Sequence, residues 1–206
     1  MPRSEHRLLL ASRSPRRREL LHEHGLAHEV IPSGIDDGGL APGRIDPMSW
    51  VMALAYLKAR AGWELLDDRS GAVVLGADTV VIKGESVIGQ PRDERDAARI
   101  VDALNNGSHR VATGVALIDE FGRRLITVDI AHVTVGNVSE RSRVEYVKSG
   151  FWHGKAGAYN FAERVADGWP ISCEGDEATV MGLPMKILPD ILDRFATRGA
   201  SPGLGA

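Results

Sequence analysis

Residues 72–81, AVVLGADTVV, form an apolar run that a single charged residue, Asp78, interrupts. A continuous apolar run is typical of a strand that is covered on both faces, so AVVLGAD (72–78) predicts the central strand of a sheet. TVVI and SVIG flank the turn residues KGE and predict a hairpin beside that strand. Asp78 is therefore expected at the carboxyl end of the central strand, which is where open α/β sheets bind ligands.

Strand and helix patterns alternate outward from this run in both directions. RLLLA (7–11) and HEVIP (28–32) predict strands, and HRVATGVALI with RRLITVDIAHVTV predicts a long antiparallel pair. The segment FWHGKAGAYNF (151–161) has no clear period and is the least regular part. The alternation predicts an α/β fold with a mixed sheet and flanking helices. Helices are predicted from Pro15 to about residue 24, from Pro47 to about residue 66, from Asp93 through DERDAARIVDAL, from Ser139 to about residue 150, and from about Pro184 to Phe195.

Length and composition favour one compact domain. The chain has 206 residues, of which 43% are apolar, and we expect a core at 7–195, two lobes around a cleft, and a flexible tail at 196–206. The net charge of −3 gives no overall attraction to nucleic-acid polymers or to membranes. The apolar stretches are shorter than the ~20 residues of a membrane span, and the amino terminus lacks the apolar region of a signal peptide. With Cys173 as its one cysteine, the chain is expected to be cytoplasmic, without an internal disulfide or a cysteine metal cluster.

The segment ASRSPRRRELL (11–21) places a cluster of arginines at the start of a predicted helix. Pro15 suits the first helical position and Ser14 suits the cap before it, yet the positive end of the helix dipole disfavours cations there. At about 100° per residue, Arg17 shares the apolar side of the helix, whereas Arg18 is expected to face solvent. A phosphate at this helix end would receive backbone N–H groups together with one or two arginines. The alternative is a surface helix whose arginines pair with its own glutamates.

Three further residues suggest chemistry. Lys58 is centred on the apolar side of the helix predicted from Pro47, and because an unpaired buried charge costs several kcal/mol, it must extend to solvent or find a carboxylate or ligand partner. Asp78 can hold Mg²⁺, accept a proton from an attacking water, or serve only as a turn residue. In GKAGAY (154–159), Lys155 lies between two glycines, where an anion could approach both the backbone and the ammonium.

Other catalytic patterns are missing from the sequence. It contains no GxxxxGK[ST], GxSxG or HExxH, which disfavours P-loop, serine-hydrolase and zincin chemistry. Trp152, Tyr159 and Phe161 could stack on a nucleotide base, but packing in the core is the expected role of each.

Together these segments resemble the Maf family of nucleoside triphosphate pyrophosphatases. The resemblance rests on an ordered set of motifs over roughly residues 7–195, and the set is far more specific than any one member of it. The motifs are SRSPRRRELL (12–21), LAYLKA (54–59), GADTVV (76–81), QPRDERDAARIVDALNNGSHRVATGVAL (90–117), GKAGAY (154–159) and VMGLP (180–184).

The resemblance implies a fold similar to inosine triphosphate pyrophosphatase, elongated around a long central cleft and often assembled as a homodimer. It implies cleavage of a nucleoside triphosphate between the α and β phosphates, giving monophosphate and pyrophosphate, with Mg²⁺ or Mn²⁺ as the divalent cation. It implies that Asp78 is the proton acceptor and, with Asp37, a metal ligand, and that Arg16 and Thr79 govern substrate choice in favour of dTTP and UTP. The implied phosphate-binding set is Ser14, Arg16, Arg17, Lys58 and Lys155.

Three positions depart from the family pattern. Asp37 stands where the family has a glutamate, Gln90 where it has a lysine, and Ala162 where it has a glutamine. Gln90 removes a cation from the site, and Ala162 removes a side chain that could hydrogen-bond a base and so contribute to base selectivity. These two departures favour an alternative function, a non-catalytic nucleotide-binding regulator of cell division, whereas the intact Asp78 and Lys58 favour hydrolysis. A nucleotidyl or phosphoryl transferase ranks below both, because no acceptor site is visible in the sequence.

Overall fold

The computed structural model describes residues 6–35 and 43–197. Asp37, for which metal binding was expected, lies outside these residues, as does the part of the expected tail beyond residue 197. The described residues build a seven-stranded sheet with helices on both faces.

The sheet combines parallel and antiparallel strands, which confirms the predicted fold class. Its strands are β1 (Arg7–Ala11), β2 (Glu29–Ile31), β3 (Ala72–Lys83), β4 (Ser86–Ile88), β5 (Gly107–Asp119), β6 (Arg124–Val135) and β7 (Ile171–Glu174). The order across the sheet is β2-β1-β3-β5-β6-β7, and β4 also pairs with β3. β1 runs parallel to β2 and β3, while the other neighbours are antiparallel.

Helices cover both faces of this sheet. They are α1 (Pro15–Glu23), α2 (Pro47–Glu64), α3 (Glu94–Leu104), α4 (Glu140–Ser149), α5 (Phe161–Ala166), α6 (Glu177–Met181) and α7 (Leu188–Thr197), with a 3₁₀ turn at Ala156–Ala158. α2 packs along one face. The other face carries two apolar clusters, one around α1, α6 and α7 and the other around α3, α4 and α5.

β3 is longer than the sequence pattern predicted, and this changes the position of Asp78. The β-branched run after Asp78 continues the same strand, whose pairing with β5 extends to Ile82↔Arg110. The predicted hairpin with SVIG is present, but its first strand is the last part of β3. Asp78 therefore lies in the middle of β3, and the expectation that it ends the strand is wrong.

Two glycines bring the α2 backbone close to the sheet. A Cβ on Gly76 would lie 2.4 Å from the carbonyl oxygen of Ala55, and one on Gly114 would lie 2.6 Å from that of Val51. Because real Cβ atoms do not approach so closely, any side chain at these positions would lift α2 away. The close approach places the middle of α2, with Lys58, directly over β3.

Three short elements were missed by the sequence analysis: α5, β7 and α6, of six, four and five residues. Elements this short carry too few residues for a period to show. The last helix begins at Leu188 and not near Pro184, because a turn in which the Leu188 N–H donates to the Pro184 carbonyl precedes it.

Candidate active site

An interruption in the pairing of β3 creates the candidate active site. β1 pairs with one edge of β3 as far as Leu10↔Leu75, and β4 pairs with that edge from Ile88↔Val81 onward. Between them, no strand in the described part of the chain pairs with residues 76–80 on this edge. Successive side chains of a strand point to opposite faces of a sheet. At this open edge, however, the neighbouring Asp78 and Thr79 both line a single hollow of about 140 Å³.

Lys58 reaches this gap from α2 and forms an ion pair with Asp78. The Lys58 Nζ lies 2.6 Å from the Asp78 Oδ1, and the two side chains are only 12% and 9% exposed. Of the outcomes expected for Lys58, the structure selects a carboxylate partner. Two charges removed this far from water cost desolvation energy that a purely structural pair seldom regains, so their retention in a hollow makes this pair a candidate for function.

Arg17 is held in the gap by three separate segments. Its Nε donates to the Gly182 carbonyl at 2.9 Å, its Nη1 to the Ser12 hydroxyl at 3.2 Å, and its Nη2 to the Thr79 hydroxyl at 3.2 Å. Arg17 is half-buried and Arg18 is exposed, as the helical spacing predicted. The guanidinium of Arg17 is thus pre-oriented beside the Asp78 pair.

A chain of hydroxyl groups continues from Arg17 through the sheet. The hydroxyl of Thr113, on β5, donates to the Thr179 carbonyl at 2.7 Å, so it can only accept from Thr79 across their 2.9 Å separation. Thr79 therefore donates to Thr113 and accepts from Arg17, and its hydroxyl acts by orienting the guanidinium. The sequence analysis missed Thr113. A polar residue inside the apolar strand RVATGVALI is the signal that could have found it.

The amino-terminal end of α1 also faces the gap. Ser14 occupies the cap position, but its side chain makes no capping hydrogen bond, so the predicted capping role is wrong. Ser14 and the half-buried Arg16 line both the inner hollow and a larger outer hollow of about 610 Å³. The two hollows share further residues, among them Lys58 and Gln90, and together we call them the cleft.

The opposite side of the cleft is built by residues 154–163, which we call the loop wall. Lys155 lies there, as the sequence predicted, but its Nζ is 2.5 Å from the Glu163 Oε2. The Asn160 side-chain amide donates to the other carboxylate oxygen of Glu163 at 2.9 Å. Glu163, which the sequence analysis did not select, therefore balances the charge of Lys155.

The loop wall is anchored to the strands of the gap. The Gly157 N–H donates to the Gly89 carbonyl at 3.0 Å, next to Gln90, which lines both hollows. A Cβ on Gly157 would lie 2.7 Å from the Val81 Cγ2, so only glycine allows this approach. The amide of Gln90 thus occupies the cleft where the family pattern has a cation.

The aromatic residues near the loop wall pack in the core, as expected. Trp152 and Phe161 are each 4% exposed and belong to the apolar cluster around α3 and α4. Tyr159 borders the inner hollow, but its hydroxyl is 2.7 Å from the Nε2 of the buried His109. Burial, assisted by the charge of Lys83, lowers the pKa of His109 to about 4, so its ring is neutral near neutral pH.

Ala162, for which a specificity role was expected, does not border either hollow of the cleft. It is exposed on α5 and is not among the described residues that line either hollow. Asn160 and Glu163, on either side of it in sequence, line the outer hollow instead. The first turn of α5 rotates Ala162 outward, because consecutive helical residues point about 100° apart.

The described residues fit a metal ion that arrives with its ligand. No group of three or more potential ligands among histidine, cysteine, aspartate and glutamate occurs in the described residues, so they form no preformed cage. Asp78 supplies one carboxylate in the inner hollow. Mg²⁺ typically takes one or two protein carboxylates and completes its shell with phosphate oxygens and water, which matches this donor set.

Comparison with known proteins identifies the family. A model of Maf-like proteins matches residues 7–195. The chain belongs to the Maf-like protein family. Among curated Maf-like relatives, the dTTP/UTP pyrophosphatase of Pelotomaculum thermopropionicum is 37% identical over 91% of this chain and 96% of its own length. The enzyme of the same name from Aquifex aeolicus is 37% identical over 90% of this chain and 94% of its own length.

Solved structures similar to this Maf-like chain cover a smaller part of it. A nucleoside-triphosphatase, or dITP/XTP pyrophosphatase, from Mycobacterium abscessus aligns with 64% of this chain and 75% of its own, at 15% identity and a TM-score of 0.40. A HAM1 protein from Coxiella burnetii aligns with 63% of this chain and 73% of its own, at 16% identity and a TM-score of 0.42. In the described residues, no helix is both long and apolar enough to span a membrane.

Proposed function

We propose that the protein hydrolyses a nucleoside triphosphate between the α and β phosphates and releases a nucleoside monophosphate and pyrophosphate. The observation that carries this proposal is the Lys58–Asp78 pair in the gap of β3, beside the oriented guanidinium of Arg17. It is also supported by the relatives named dTTP/UTP pyrophosphatase, because the similarity extends over nearly their whole length. They also disfavour the non-catalytic regulator.

In the proposed reaction, a water oxygen forms a bond to the α-phosphorus while the bond from that phosphorus to the bridging oxygen breaks. The electron pair of the broken bond leaves on pyrophosphate, and the proton of the water passes to the Asp78 carboxylate. Lys58, held 2.6 Å from that carboxylate, keeps it oriented for the transfer.

The cations of the cleft stabilise the charge that builds on pyrophosphate. Arg17 is already oriented by its three hydrogen bonds, so its guanidinium needs no reorganisation as the bond breaks. Arg16 and the Ser14 hydroxyl add donors at the start of α1, where the helix dipole also favours an anion. Lys155 completes the phosphate-binding set from the loop wall once the substrate displaces Glu163.

A divalent cation, Mg²⁺ or Mn²⁺, would be held by Asp78 and by the substrate phosphates. When bound, it offsets phosphate charge and acts as a Lewis acid at the phosphoryl oxygens. Asp37 is proposed as a second carboxylate for it on the basis of the sequence alone.

For the base, dTTP and UTP are the proposed substrates, because the full-length relatives carry that name. Thr79 contributes to substrate choice through its bond to Arg17, and Arg16 through its place at the mouth of the inner hollow. Homodimer formation and a cytoplasmic location remain predictions of the sequence.

The deciding experiment measures pyrophosphate and monophosphate released from a panel of ribo- and deoxyribonucleoside triphosphates, with Mg²⁺ or Mn²⁺. We expect both products in equal amounts, fastest from dTTP and UTP, and none when a chelator is added. Release of inorganic phosphate alone, or binding of every nucleotide without turnover, would contradict the proposal. Product that appears only with a second substrate would favour a transferase.

A further inference from the structure

We propose that Tyr146 is a positioning residue for the loop wall and acts through the backbone carbonyl of Ala158. Tyr146 lies on α4, is 4% exposed, and is not among the described residues that line either hollow of the cleft. Its hydroxyl donates to the Ala158 carbonyl at 2.8 Å. The kinetic test of this role rests on the proposed function. A second test, by amide hydrogen exchange, does not.

Ala158 has a backbone conformation that an alanine rarely adopts. Its φ is +63°, and within the described residues the only other non-glycine residue with a positive φ is Asn106. Asparagine enters this left-handed region readily, whereas the Cβ of alanine clashes with the following carbonyl oxygen. Such a conformation persists only where surrounding contacts impose it, and Ala158 is fully buried.

Gly157 and Ala158, which both have a positive φ, form the point at which the loop wall turns. The Ala158 N–H donates back to the Lys155 carbonyl at 3.0 Å, and the next residue, Tyr159, is fully extended with φ −145°. Lys155 and Tyr159 both border the cleft. If Ala158 relaxed to a right-handed or extended conformation, these two side chains would move relative to each other.

Tyr146 is itself held rigidly enough to impose this turn. The Arg164 guanidinium lies 4.1 Å from the centre of its ring, and Trp169 packs edge-on at 5.2 Å. Burial also raises the pKa of Tyr146 to about 12, so the hydroxyl stays protonated and can donate at neutral pH. These two groups fix the ring of Tyr146 so that its hydroxyl lies 2.8 Å from the Ala158 carbonyl.

The kinetic test compares Tyr146→Phe in two backgrounds. In the natural background, we expect KM for dTTP to rise roughly fivefold, the effect of losing one ordinary hydrogen bond, with kcat changed by less than about twofold. In an Ala158→Gly background, the same substitution should raise KM by less than about twofold, because glycine adopts a positive φ without strain. Tyr56→Phe, which removes a surface hydroxyl bonded to Arg124, is the matched control and should leave KM unchanged.

The second test follows amide hydrogen exchange at Ala158, which needs no substrate. We expect this amide to exchange several-fold faster in Tyr146→Phe than in the unaltered protein or in Tyr56→Phe. An equal rise in KM in both backgrounds, or unchanged exchange at Ala158, overturns the positioning role. If the unaltered protein releases no pyrophosphate, the proposed function fails while the exchange measurement still decides the role of Tyr146.

Discussion

Two lysine–carboxylate pairs border the cleft, and they differ in how they are supported. Lys58 and Asp78 lie on α2 and in the middle of β3, with side chains 12% and 9% exposed. Lys155 and Glu163 lie on the loop wall, where the lysine is 15% and the glutamate 42% exposed. The contacts are nearly equal in length, at 2.6 and 2.5 Å. Distance alone therefore says little about what either pair does.

The two pairs differ in how firmly the surrounding structure holds them, and this difference favours different roles for them. A pair held by a helix packed on a sheet keeps its geometry through a reaction cycle, which suits proton transfer. A pair with one solvent-exposed partner is worth about 1 kcal/mol or less and opens easily when an anion arrives. In the proposed reaction, the pair on β3 therefore takes the role of proton acceptor, and the pair on the loop wall takes that of a contact that substrate phosphates replace.

The largest expected effect is on turnover in Asp78→Asn. Asparagine keeps the shape of the side chain and can still accept a hydrogen bond from Lys58, but it cannot take the water proton. We expect kcat to fall by about 10³-fold while nucleotide binding is retained. The assay is pyrophosphate release together with calorimetric binding of dTTP. Asp102→Asn, which changes an exposed carboxylate paired with Arg143, is the control, and an equal loss of kcat there would show that the effect does not come from losing the proton acceptor.

The next effect is on stability in Lys58→Met. This substitution keeps the apolar stem but removes the cation that lies 2.6 Å from the buried Asp78 carboxylate, so the free energy of unfolding should fall by about 3 kcal/mol. Urea unfolding at neutral pH measures it. Arg60→Met, at an exposed pair two residues along α2, should cost less than about 0.5 kcal/mol. Similar losses of unfolding free energy in the two variants would show that burial does not make the Lys58–Asp78 pair more important for stability than the Arg60–Glu64 pair.

A pH series tests how the stability of the fold depends on the buried His109, whose Nε2 lies 2.7 Å from the Tyr159 hydroxyl. The unfolded chain takes up this proton near the ordinary pKa of 6.5, whereas the folded protein resists it until about pH 4. Between those values the unfolded state binds more protons, so stability falls as the pH drops, by about 2–3 kcal/mol from this residue. His109→Gln should lose that part of the pH dependence in urea unfolding curves, whereas His132→Gln, an exposed histidine, should keep it.

The smallest expected effect is on substrate affinity in Glu163→Gln. Removing the carboxylate charge frees Lys155 for the phosphates, so KM for dTTP should fall about threefold, with kcat nearly unchanged. Steady-state kinetics at low salt measure it. Glu145→Gln, at an exposed pair with Arg141, should leave KM where it was. A rise in KM in Glu163→Gln would mean that the glutamate helps to bind substrate and does not compete with it.

The sequence predicted most of the fold, because the long elements have clear periods and recognisable ends. It also selected Asp78, Lys58, Arg17 and Lys155, since each is a charge in an apolar or glycine-containing setting where a charge needs a partner. All four border the cleft in the structure. What it could not provide was the partner of each, because pairing depends on which strands are adjacent.

The errors have the same physical origin. The apolar run AVVLGAD ends at Asp78 and so predicts a strand end there, whereas the strand continues and access to Asp78 comes from a gap between β1 and β4 that no local pattern shows. Glu163 and Thr113 were missed because a glutamate in a short helix and a threonine in a strand are ordinary residues. Their partners, Lys155 and Thr79, are 8 and 34 residues away.

The missing partner beside residues 76–80 has one more consequence. A strand whose neighbour stops short leaves main-chain amide and carbonyl groups that a bound molecule can pair with, as an added strand would. Every residue other than proline carries the same peptide N–H and carbonyl, so most substitutions leave these groups in place. A substitution around the gap would therefore change the side chains that the proposed nucleotide substrate meets and leave these backbone groups available to it.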